Sequence, residues 1–136
     1  MRILSIDYGK KRTGLAVTDP LQIIANGLVT VATSNLMQFL KDYCRQEEVE
    51  TIVVGEPRQP NGQPSENLQR VKSFVGNLKK EMPGINIVFY DERFTSVIAH
   101  RTMIDAGLGK KARQNKELVD EISATIILQD YLNSIR

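Results

Sequence analysis

The order of apolar patterns along the chain is the strongest constraint on its fold. Residues 2 to 7 (RILSID), 13 to 18 (TGLAVT) and 23 to 31 (IIANGLVTV) each carry a strand pattern, and only short gaps bearing glycine or proline separate them. Gaps of that length permit hairpins, so these strands are expected to be antiparallel neighbours. From Ser34, placed to cap a helix, Leu36, Met37, Phe39, Leu40 and Tyr43 recur at helical spacing up to the acidic pair Glu47 and Glu48. TIVVG, residues 51 to 55, is continuously apolar and β-branched, which suits a strand buried on both faces. EPRQPNGQPSEN, with three of the 5 prolines, reads as a loop. Leu68, Val71, Phe74, Val75 and Leu78 mark a second helix, stopped by Pro83 and Gly84. Ile85 to Tyr90 is a fifth strand, Ser96 to Ala106 a short helix, and a basic glycine-bearing loop leads to a long helix from about Asn115.

The resulting order is β-β-β-α-β-α-β-α-α. Antiparallel strands need only turns, while parallel ones need crossovers, so the order describes an α/β protein with a five-stranded mixed sheet covered by helices. The strand of residues 2 to 7 is expected at its centre. This is the order of the RNase H-like fold, and also of one half of the actin and sugar-kinase fold. A length of 136 residues suits a single domain spanning 1–136 and leaves little room for the second lobe that a kinase needs.

Composition excludes several classes. Hydrophobic residues make up 41% and charged residues 25%, with a net charge of +2, as in ordinary soluble globular proteins. No apolar run approaches a membrane span and no leader pattern precedes the first strand, so a cytoplasmic protein is expected. The single cysteine, Cys44, rules out an internal disulfide and a cysteine-rich zinc site, and reads as a small buried hydrophobe. The lone His100 cannot build a histidine cage and reads as a surface or interface residue.

What remains for chemistry is carboxylates and cations. Asp7 closes the first strand beside a Tyr-Gly turn. Asp91 and Glu92 sit together in YDERFTS, and their opposite strand phases allow only one of them to face the same cleft as Asp7. Arg93 could pair with either. In the last helix Asp120 heads a stripe through Ala124, Ile127 and Tyr131, while Glu121 heads a comparable one through Thr125, Leu128 and Leu132. Periodicity does not choose between them. Such a trio of acids, with no histidine or thiolate cluster, would suit Mg²⁺ or Mn²⁺ and in-line attack on phosphate. Lys10, Lys11 and Arg12 follow Asp7, and Lys110, Lys111, Arg113 and Lys116 precede Asp120. Basic segments flanking acids suit a polyanion held through its phosphates. With no Trp and 6% aromatic residues, a base-stacking platform is not expected.

At this point SIDYGKKRTGLAVTD, IVVGEP with the downstream NGQPSE, YDERFTS and GLGKKARQNKELVDEISATIIL together closely resemble the YqgF/RuvX family. That family is known for pre-16S ribosomal RNA nucleases and Holliday junction resolvase-like proteins. The likeness runs from the first strand to the last helix. It implies an RNase H-like fold, a role in maturing the 5′ end of 16S rRNA, and a Mg²⁺ or Mn²⁺ cofactor. It further implies Asp7 as the first-strand acid, Glu92 as the second and Asp120 as the helix acid, with the cations, Arg93 included, on nucleic acid. One departure is Glu56, where the family usually has an aliphatic residue; an extra ligand and a surface substitution are both open, and the surface reading is favoured because Pro57 begins an exposed loop.

The leading expectation is therefore a metal-dependent endonuclease acting on structured RNA, in particular pre-16S rRNA. A resolvase of branched DNA uses the same chemistry, since nothing in the sequence reads a 2′-hydroxyl. A sugar-kinase-like phosphotransferase and a non-catalytic ribosome-assembly binder are the alternatives from other classes. A homodimer is compatible with the sequence, and no membrane partner is expected.

Overall fold

The computed structural model describes residues 1–57, 66–91 and 115–136, with Lys116 as backbone only. Its elements are β1 (Arg2–Asp7), β2 (Arg12–Thr18), β3 (Ala25–Ala32), a 3-10 turn (Thr33–Asn35), α1 (Leu36–Gln46), β4 (Val49–Glu56), α2 (Leu68–Glu81), β5 (Asn86–Asp91) and α3 (Lys116–Ser134). The strands form one sheet in the order β3-β2-β1-β4-β5. β1, β2 and β3 are joined antiparallel, as their short connections require, while β4 and β5 add parallel on the other side of β1. β1 is central, and the C-terminal ends of β1, β4 and β5 lie along one edge.

Strand alternation divides the core in two. Leu4, Ile6, Leu15, Val17, Ile52 and Val54 point to one face and pack with Leu36 and Leu40 of α1 and Val71, Val75 and Leu78 of α2. Ile3, Ala16 and Val53 point to the other, where Ala124, Ile127, Leu128 and Leu132 of α3 cover them. Each fully buried Leu or Ile contributes about 1.5–3 kcal/mol, so both layers hold the sheet. β4 is buried on both faces, as its unbroken apolar run requires.

Local chemistry overrides pattern at three places. β3 begins at Ala25, not Ile23. The Asp19 carboxylate accepts the N–H groups of Leu21 at 3.0 Å, Ile23 at 2.8 Å and Ile24 at 2.7 Å, which takes those donors from the sheet. Ser34 lies within the 3-10 turn, and Asn35 precedes α1 with no side-chain cap bond. Pro57 is buried, so it does not itself begin an exposed loop. Asn115 does cap α3, accepting from Glu117 at 3.1 Å and Leu118 at 3.2 Å. Cys44 is half-buried against the α1/α2 core, and burial pushes its thiol upward, consistent with a packing role. His100, the helix expected over Ser96–Ala106 and the basic loop after it lie outside the described residues.

Candidate functional site

Asp7 takes its position from strand phase. Ile3 packs under α3 and the Ser5 hydroxyl donates to the Ala124 carbonyl at 2.6 Å, so Asp7, two residues on, shares the α3 face. Its antiparallel partner is Gly14 of β2. A Cβ on Gly14 would collide with the Asp120 carbonyl and lie 3.0 Å from the Asp120 Cβ. Only glycine allows α3 to descend this far onto the sheet. Asp7 and Asp120 therefore belong to the same face, one strand pairing apart, and paired Cα atoms are about 4.5–5.5 Å apart.

The turn after Asp7 is pinned from several directions. The Thr33 hydroxyl donates to the Gly9 carbonyl at 2.7 Å and accepts from the buried Thr13 hydroxyl at 2.9 Å, while the Thr33 N–H donates to Lys11 at 3.0 Å. The Asn67 amide donates to the Tyr8 carbonyl at 2.8 Å, and the Tyr8 ring meets Phe74 at 5.3 Å between centroids. A β-carbon at Gly9 would strike the Arg12 carbonyl, so this turn too is built around glycine.

α3 crosses the sheet diagonally. Thr30 of β3 donates to the Glu117 carbonyl at 2.8 Å, Asp120 rests on Gly14 of β2, Ala124 lies on β1, and Tyr131 meets Tyr90 of β5 edge-on at 6.3 Å. This crossing separates the two acids that periodicity leaves equivalent. A Cβ on Gly27 would come 3.8 Å from the Glu121 Cβ, so Glu121 lies over β3, and Asp120 lies beside Asp7.

The cations divide. Lys10 and Lys11 are exposed on the hairpin. Arg12, expected to join them on nucleic acid, has the phase of Gly14 and Ala16, and its Nε donates to Asp120 Oδ2 at 2.5 Å. Of the remaining acids, Asp91 is exposed, and it has the phase opposite to Val88 and Tyr90, which pack beneath α3. Glu56 has the phase of Ile52 and Val54, on the α1/α2 face, away from Asp7. Glu92, Arg93, Lys110, Lys111 and Arg113 lie outside the described residues.

Sequence reasoning missed the Arg12–Asp120 pair, the role of Gly14 and the Thr33 and Asn67 braces. One signal was available: Gly14 and Ala16, small residues on one strand phase, mark where a helix comes close. As a donor set, two carboxylates on one face with, among the described residues, no sulfur or imidazole on that face fit a hard cation such as Mg²⁺ or Mn²⁺. Among the described residues no cluster of three or more His, Cys, Asp or Glu gathers.

Residues 1–134 match the RuvX family, described as Holliday junction resolvase. A protein of Phocaeicola vulgatus named "Putative pre-16S rRNA nuclease" is 63% identical over 133 residues, covering 98% of this chain and 96% of that one. A protein of Bacteroides fragilis with the same name is 59% identical over 135 residues, covering 99% and 98%. Among solved structures, the fowlpox virus Holliday junction resolvase matches with a TM-score of 0.61 at 14% identity, over 100% of both chains. Thermus thermophilus RuvC, solved with a Holliday junction substrate, matches with a TM-score of 0.58 at 16% identity, over 99% of this chain and 96% of that one. Likeness at such identities is one of fold, the RNase H-like fold that the element order leads one to expect. With the family match spanning almost the whole sequence, this chain belongs to the RuvX family.

Proposed function

We propose that this protein is a metal-dependent endonuclease that processes the 5′ end of pre-16S rRNA in the cytoplasm, acting as a single RNase H-like domain. The observation that carries the reading is the placement of Asp7 and Asp120 on one face of the sheet, across Gly14. Asp7 and Asp120, with Glu92 as the third acid, would hold Mg²⁺ or Mn²⁺. Support for Glu92 over its neighbour comes from Asp91, which is exposed on the phase turned away from α3. Held there, the cation would neutralise charge at the scissile phosphate and would supply a hydroxide nucleophile at neutral pH. The chain's own part is to fix the carboxylates: β1 is clamped between β2 and β4, and the Thr33 and Asn67 bonds hold the turn beyond Asp7. Lys10 and Lys11, with Arg93, Lys110, Lys111 and Arg113, would track the phosphate backbone and position it over the acids.

The relatives named for pre-16S rRNA favour RNA as substrate. The family's description favours a second reading, resolution of four-way DNA junctions by the same acids. Incubating the purified protein with a 16S precursor fragment and with a four-way junction, each with and without Mn²⁺, separates the two. The proposal expects Mn²⁺-dependent cleavage of the precursor. Cleavage of the junction alone would transfer the activity to DNA, and binding of either without cleavage would leave an assembly factor.

A further inference from the structure

We infer that Arg12 competes with the divalent cation for Asp120, so that Arg12 leaves this carboxylate as the site loads and becomes available to a substrate phosphate. The inference rests on the reading of Asp120 as a cation ligand. Its starting point is the ion pair itself: Arg12 Nε lies 2.5 Å from Asp120 Oδ2, a short charge-assisted contact, and the two side chains are 37% and 20% exposed. A guanidinium this close takes one lone-pair direction of that oxygen, and its positive charge opposes a second cation there. Charge repulsion between guanidinium and cation at this carboxylate sets the two in competition.

Position makes exchange feasible. Arg12 is the first residue of β2, directly after the exposed Lys10 and Lys11, and its more exposed side chain can turn toward the side where those lysines stand. Asp120 cannot follow it, because its backbone is seated against Gly14 and the adjoining Ala124 turn is tied to Ser5. The carboxylate stays while the guanidinium exchanges. Coupling of this kind is reciprocal: whatever loosens Arg12 from Asp120 strengthens cation binding, and bound cation frees Arg12 for phosphate. Arg12 is thus a positioning residue that keeps the acid in place before loading.

The test measures Mn²⁺ affinity by electron paramagnetic resonance of the free ion, in the parent, Arg12→Gln, Arg12→Lys and Asp120→Asn, without nucleic acid. Thermal unfolding is followed in chelator and in saturating Mn²⁺. Arg12→Gln should bind Mn²⁺ about fivefold more tightly or better, the lower range of ordinary coupling between sites. Arg12→Lys should fall between it and the parent, and should fold even where the glutamine variant does not. In chelator Arg12→Gln should melt below the parent, and saturating Mn²⁺ should narrow that gap, which a purely structural ion pair would not do. Equal or weaker Mn²⁺ binding in both Arg12 variants would overturn the competition while leaving the cation site intact, provided Asp120→Asn binds more weakly than the parent. Unchanged binding in Asp120→Asn would remove Asp120 as a ligand, and the competition with it.

Discussion

Asp7 and Asp19 are both carboxylates at the ends of strand segments, and their surroundings give them different work. Asp19 spends its charge on the backbone amides of Ile24, Ile23 and Leu21, and the Ile24 contact is the chief cause that holds its carboxyl below the ordinary value of 3.8. Because the folded value is depressed, this stabilisation is complete above pH 3.8 and is lost as pH falls through the lower folded value. Asp19→Asn should therefore melt below the parent at neutral pH, with the gap closing in acid; a gap constant across pH would contradict the assignment. Asp7 instead ends its strand opposite Gly14, beside the Asp120 helix. Asp120→Asn and Glu92→Gln should each lower single-turnover cleavage by about a hundredfold or more, as losses of pre-organised charge do. Glu56→Gln and Asp91→Asn should retain most activity, since the two are register partners across β4 and β5 and share the phase turned away from α3.

The elements were largely legible in the sequence because each is decided by its own pattern. Hairpin gaps gave β1 to β3, the apolar run gave β4, and Asn115 announced α3. What stayed hidden depends on partners distant in sequence. Ile23 and Ile24 look like strand until the Asp19 carboxylate takes their amides. Asp120 and Glu121 stay equivalent until the diagonal of α3 puts one over β2 and the other over β3. Gly14 reads as an ordinary strand glycine, yet it sets the depth of the helix. Gly14→Ala should lower stability by about 1–3 kcal/mol, as overpacking does, and should reduce cleavage further by lifting Asp120 away from Asp7. Gly76→Ala in α2, where a β-carbon meets nothing within 4 Å, should stabilise by about 0.4–1 kcal/mol. Urea unfolding of the pair checks both signs. A neutral Gly14→Ala would mean that the helix is not seated there.

At the scale of the whole molecule, a net charge of only +2 means that any grip on a polyanion depends on where the cations stand. Lys10 and Lys11 are exposed beside the carboxylate edge, and the basic segment around Lys110, Lys111 and Arg113 precedes the Asp120 helix in sequence. Replacing those last three with alanine should flatten the salt dependence of RNA binding by about one unit of slope per lost phosphate contact. Cleavage at saturating substrate should suffer less. If binding were unchanged across a salt titration, the segment would be a solvated surface. The central claim, that Asp7 is a ligand of a catalytic cation, is tested most directly by the single-turnover cleavage rate of a 16S precursor fragment against Mn²⁺ concentration, in the parent and in Asp7→Asn. An amide keeps the shape of the side chain and loses its charge. The account predicts a parent rate that rises with Mn²⁺ and vanishes in chelator, and a near-inactive variant with an unchanged melting temperature. Parent-like cleavage by Asp7→Asn, or cleavage that persists in chelator, would contradict it.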